Sequence, residues 1–140
     1  MAADYGARQA STLNVLIVED DDDSREMLAE LVSMLGCRAL RAGDAAQALR
    51  HARESAPDLA LVDIGLPEVD GYEVARRLRA QPGGKDVRLI ALTGYSDLSV
   101  REEALAAGFD DFVVKPVLPE ALESLLRAER KRRAGGTPQP

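Results

Sequence analysis

Five polar side chains of this 140-residue chain each stand at the end of a short apolar run. Glu19 and Asp20 follow Leu13–Val18, Asp63 follows Leu59–Val62, Thr93 follows Val87–Leu92, and Lys115 follows Phe112–Val114. If those runs are neighbouring parallel strands, their ends share one rim and the five groups converge. Three carboxylates that close cannot all stay ionised without a cation. A hard divalent ion with oxygen ligands meets that need. Mg²⁺ does so with one or two carboxylates, waters and phosphate oxygens, and Mn²⁺ is the alternative ion. Asp63 would then be a carboxylate nucleophile for phosphoryl transfer. Thr93 and Lys115 would bind and neutralise the oxygens of the incoming group, because this chemistry is mostly positioning and charge stabilisation. Lys115 stands out further: only three of the 18 basic residues are lysine, and a compact point charge suits one phosphoryl oxygen.

The elements that must position these groups are legible in outline. The apolar runs suit strands covered on both faces, and residues 37–42 read as a more polar edge strand. Between them lie helical stripes. Met27, Leu28, Leu31, Val32 and Leu35 form the first, closed by Gly36. Asp44 caps a second, whose buried face is Ala45, Ala48, Leu49 and Ala52. Val74, Ala75 and Leu78 mark a third. A fourth runs from about Leu98 to Ala107 and stops at Gly108. A fifth starts at Pro119 and buries Leu122, Leu125 and Leu126. Strict β-α alternation predicts a parallel sheet with helices on both faces. The flavodoxin-like (βα)5 order 2-1-3-4-5 fits best, since it puts the polar second strand at an edge. In such sheets ligands bind outside the carboxyl ends of the strands, where the five polar groups stand.

Composition bounds the rest. One domain is expected over residues 12–133, with a flexible lead over 1–11 and a disordered tail over 134–140. Hydrophobic residues make up 46% and aromatics 4%, so the core is aliphatic. No apolar run reaches the length of a membrane span, and the first residues lack a signal-peptide pattern. The lone Cys37 excludes an internal disulfide. These features point to the cytoplasm and to no membrane insertion. The formal charge of −6 argues against nucleic acid as a partner. The basic run Arg130–Arg133 reads as a solvated helix end, with a partner contact as the alternative. His51 reads as a surface residue, Cys37 as a small core or edge residue, and Asp21, Asp22 and Asp23 as cap and loop.

The segments LNVLIVEDD (13–21), LALVDIGLPEVDG (59–71), LIALTG (89–94) and FDDFVVKP (109–116) resemble those of bacterial two-component response-regulator receiver domains, stand-alone or attached to hybrid histidine kinases. The resemblance covers residues 13–130 and implies roles. Asp63 is the phosphoacceptor. Asp20 and Asp63 bind Mg²⁺ directly, Glu19 acts through water, and the Gly65 backbone carbonyl is the third protein ligand. Thr93 and Lys115 hold the phosphoryl group, and the Lys115–Pro116 bond is cis. Thr93 and Phe112 form the switch, with Phe112 facing the core where Tyr is commoner. Gly65 and Tyr95 flank the path of the hydrolytic water and set the lifetime of the phosphorylated state. The resemblance also implies partners: a sensor histidine kinase or histidine phosphotransfer domain as donor, and a downstream protein on the face of the fourth helix, fifth strand and fifth helix. Such a domain is a phosphoacceptor that assists its own phosphorylation and dephosphorylation rather than an enzyme acting on other substrates.

The rival reading is a small haloacid-dehalogenase-like phosphatase. Asp20-x-Asp22 after an apolar strand resembles that nucleophile motif and would make Asp20 the nucleophile. It wants Thr or Val where Ser24 stands, and it leaves Asp63 and Lys115 less well explained.

Overall fold

The computed structural model describes residues 12–94 and 98–135. Five strands and five helices alternate along the chain: β1 (Asn14–Val18), α1 (Asp22–Met34), β2 (Arg38–Ala42), α2 (Ala45–Ser55), β3 (Leu59–Asp63), α3 (Gly71–Ala80), β4 (Arg88–Thr93), α4 (Leu98–Ala107), β5 (Asp111–Val114) and α5 (Pro119–Gly135). The strands form one parallel sheet in the order β2-β1-β3-β4-β5. This is the expected flavodoxin-like topology. The last helix extends through Gly135, past the expected domain end at residue 133.

Side-chain alternation along the strands divides the core in two. Val15 and Ile17 of β1, Leu59 and Leu61 of β3, and Ile90 and Leu92 of β4 meet Leu28, Ala29 and Val32 of α1 and Leu122 and Leu126 of α5. The opposite face of the sheet, Leu16, Val18, Ala60, Val62, Leu89 and Ala91, is covered by α2, α3 and α4. Here α3 supplies Val74, Ala75 and Leu78, while α4 buries only Ala104 and Ala107.

Three helix starts are capped by aspartates in extended backbone. Asp21, Asp44 and Asp70 accept from the amides of Ser24, Gln47 and Glu73, each satisfying a donor that the first helical turn leaves open. Gly36 ends α1 at φ +85°, a conformation that favours glycine.

Two sequence expectations are corrected. Met27 is not part of the core stripe of α1: it is 66% exposed, because the buried face of that helix is Leu28, Ala29 and Val32. Phe112 is half-buried, packed against the α2–α4 side of the core, with Arg101 over its ring at 5.3 Å. The basic run is neither a purely solvated helix end nor a free contact surface. Arg130 donates to the Leu35 carbonyl and Cys37 Sγ. Arg133 donates to the carbonyls of Asp58 and Asp86 and pairs with the Asp58 carboxylate. Arg132 and Arg133 both hold the buried Glu129. Among the described residues, no helix is long and apolar enough to cross a membrane.

Candidate functional site

The ladder sets the site. Leu92 of β4 pairs with Asp63, so β4 ends one residue beyond β3, and Thr93 pairs with Val114, so β4 and β5 end level. The hydrogen bonds continue past the strand ends: Glu19 N–H donates to Ala42, Ile64 N–H to Leu92, and Lys115 N–H to Thr93. Glu19, Asp63, Thr93 and Lys115 are thereby fixed on one rim.

Glu19, Asp20 and Asp63 each offer a carboxylate oxygen, and these oxygens lie within 4.8 Å of one another. Glu19 and Asp63 are buried and Asp20 is exposed. Lys115 Nζ reaches Glu19 Oε1 at 3.2 Å and Asp63 Oδ1 at 3.3 Å. One ammonium therefore touches two carboxylates of a cluster of three. Burial pushes the Glu19 carboxyl up; the Asp21 N–H opposes this, the Asp63 charge adds to it, and Lys115 offsets it in part. For Lys115, burial acts to lower the pKa, but the bond to Glu19 and the charges of Asp63 and Glu19 outweigh it and raise the net value. A site that holds a carboxyl reluctant to ionise beside a firmly charged lysine is short of positive charge. Its donors at the cluster are oxygens, the ligand type that suits a hard divalent cation such as Mg²⁺.

Asp63 is oriented by its own turn. The Gly65 N–H donates to Asp63 Oδ1 at 3.0 Å. The next helix is pressed against the same backbone: Gly71 N–H donates to the Ile64 carbonyl, and a Cβ at Gly71 would lie 2.4 Å from the Asp63 carbonyl oxygen. Only glycine fits that approach. Thr93 is buried at the end of β4. The Lys115–Pro116 peptide bond is cis.

The structure thus brings Glu19, Asp20, Asp63 and Lys115 together, with Gly65 bonded to Asp63 and Thr93 at the neighbouring strand end. Phe112 lies on β5 beneath Arg101, and Tyr95 lies outside the described residues. Asp22, which the phosphatase reading needs beside Asp20, is exposed and paired with Arg25 at 2.6 Å. His51 sits on α2 against the Arg41 carbonyl, and Cys37 is buried. Two residues escaped sequence reasoning. Gly71 was legible only as the glycine after a capping aspartate. Arg25 donates through Nη1 to the Glu19 carbonyl at 3.0 Å, and only its place in the first turn of α1 hinted at this.

The family model for the response regulator receiver domain matches residues 15–127. Among curated relatives, the DNA-binding response regulator MtrA of Mycolicibacterium smegmatis is 39% identical over 118 residues, which cover 84% of this chain and 50% of that protein. The chain spans 45% and 48% of the length of two other relatives and 88% of a third. Among solved structures, the receiver domain of a sensor histidine kinase from Pseudomonas aeruginosa PAO1 superposes with a TM-score of 0.78 at 33% identity, covering 86% of this chain and 98% of that one. That protein carries a magnesium ion in its active-site cleft. Chemotaxis protein CheY4 of Vibrio cholerae superposes with a TM-score of 0.80 at 27% identity, covering 84% and 98%.

Proposed function

The chain belongs to the response regulator receiver domain family of two-component signalling, and on that premise we propose that it accepts a phosphoryl group onto Asp63 with one Mg²⁺ at the acidic rim. The observation that carries this reading is the charge imbalance of the site: three carboxylate oxygens within 4.8 Å, with Lys115 touching two of those residues. Asp20, Asp63 and the Gly65 carbonyl would hold the cation, and Glu19 would act through water. Bound there, the ion would neutralise charge on phosphoryl oxygens.

The remaining roles belong to the chain itself. An Asp63 carboxylate oxygen attacks phosphorus, a new P–O bond forms, the P–N bond to a phosphohistidine breaks, and its electron pair stays on the imidazole. Lys115 and Thr93 hold the oxygens of the transferred group. The donor is a sensor histidine kinase or a histidine phosphotransfer domain, met in the cytoplasm. Thr93 moving inward and Phe112 turning after it would alter the α4–β5–α5 face that a downstream protein reads; only contacts that differ between the two states can shift such an equilibrium. Gly65 leaves the water path open, and Tyr95 is the residue that would shield it. The domain then acts as a timed switch, not as an enzyme on other substrates.

Incubation with acetyl phosphate and Mg²⁺, read by intact mass, tests the central step. Wild type should gain one phosphoryl group and Asp63→Asn none; equal labelling of the two would overturn the assignment. Tyr95→Ala should lose the phosphoryl group several-fold faster once the donor is removed, and equal decay would remove Tyr95 from the timing.

A further inference from the structure

The side chain of Arg25 is only 18% exposed although it stands in the first turn of α1. Its Nη1 donates to the Glu19 carbonyl at 3.0 Å and faces the Asp20 carbonyl at 3.5 Å. Its Nη2 bonds Asp22 at 2.6 Å. Gly43, in the turn after β2, gives the guanidinium its room: a Cβ there would meet Nη1 at 3.3 Å. The Gly43 N–H is itself held by Gln47 at 2.7 Å. One planar group therefore ties the end of β1 to the start of α1, and it lies beside the turn after β2. Its contacts at Glu19 and Asp20 are to the backbone, so it acts on the direction of those side chains and not on their oxygens.

We propose that Arg25 is a positioning residue for the cation, holding the Glu19–Asp20 turn so that its carboxylates are aimed before the ion arrives. The inference rests on the Mg²⁺ reading above. Two effects of the guanidinium oppose each other, which makes the sign of the outcome decisive. Its charge repels a second cation, so on Coulomb grounds its removal tightens Mg²⁺ binding. Its fork orders the turn in advance, so its removal transfers the cost of ordering the ligands to the binding step and weakens it. Positioning requires that the second effect wins.

The experiment is calorimetric titration of Mg²⁺ into metal-free wild type, Arg25→Ala and Arg25→Lys, with thermal melts of each. Arg25→Ala should bind Mg²⁺ five- to tenfold more weakly, where tenfold corresponds to about 1.4 kcal/mol. Arg25→Lys, which keeps the charge but not the planar fork, should fall between the two. With acetyl phosphate, the Mg²⁺ concentration for half-maximal labelling should rise in Arg25→Ala while the rate at saturating Mg²⁺ stays near that of wild type. A role confined to stability would lower the melting temperature and leave both Mg²⁺ readouts unchanged. Unchanged or tighter binding by Arg25→Ala, with normal binding by wild type, overturns this inference alone. Wild type that fails to bind Mg²⁺ overturns the cation reading with it. If Arg25→Ala does not fold, Arg25→Lys decides by the same criterion.

Discussion

The two ends of the sheet carry similar numbers of acidic groups and treat them in opposite ways. At the amino-terminal rim, Asp58, Asp110 and Glu129 face four arginines. Arg79 and Arg88 meet Asp110, Arg132 and Arg133 meet Glu129, and Arg133 also meets Asp58. Glu129 is the most enclosed of these, 2% exposed, and both its arginines reach it from the following turn of α5. At the carboxyl-terminal rim, Glu19 and Asp63 share one lysine, and the Asp20 carboxylate stands beside them. The first rim is electrically closed and serves the fold. The second is left short of positive charge, a state that costs stability and that a bound cation relieves.

The largest effect expected from this contrast lies at the closed rim. Glu129→Ala should lower unfolding stability by about 3 kcal/mol, the low end for breaking a buried ion pair, since both arginines reach solvent. Urea denaturation measures it, and a loss below about 1 kcal/mol would mean that this rim does not depend on charge pairing. At the open rim, volume should be less tolerated than loss of charge. Gly71→Ala forces a methyl group against the Asp63 backbone and should cost about 2 kcal/mol, as overpacking does. A neutral effect would show that α3 shifts freely against the end of β3. In contrast, Asp20→Asn should stabilise the metal-free protein by about 1 kcal/mol, the scale of one like-charge contact near water. That gain should vanish in millimolar Mg²⁺, and a loss of stability without metal would reverse the comparison. Asp22→Ala should change least. Its exposed pair with Arg25 is worth about 0–1 kcal/mol, and Mg²⁺ affinity should fall less than in Asp20→Ala; the opposite ranking would favour the phosphatase-like alternative.

The open rim was legible in the sequence and the closed rim was not, for a physical reason. Apolar runs mark strands, and parallel strands place their ends together, so Glu19, Asp20, Asp63, Thr93 and Lys115 could be gathered from order along the chain alone. Glu129 offers no such sign. It stands within a basic stretch that resembles any solvated helix end, and its partner Arg133 also reaches Asp58 across 75 positions, a contact that order along the chain does not reveal. The same limit applies to Arg25, whose partners are carbonyl oxygens, which every residue has. Met27 went wrong for a different reason. It sits at the margin of a helical stripe, where spacing alone cannot decide between core and surface.

The helices differ in what holds them to the sheet, and for α4 that difference has a mechanical meaning. Helices α3 and α5 seat branched side chains, Val74 and Leu78 or Leu122 and Leu126, in the sheet surface. To slide, they would have to lift those side chains out of their holes and open voids beneath them. Helix α4 rests on the methyl groups of Ala104 and Ala107. Its ridges are shallow, and a small translation exchanges one methyl contact for another with little change in buried area. Shear between packed layers is one of the few motions a dense interior permits at low cost. Helix α4, which follows the strand ending in Thr93, is therefore held by smaller side chains than α3 or α5, so a small displacement at that end of the rim meets less resistance there than it would at either of those helices.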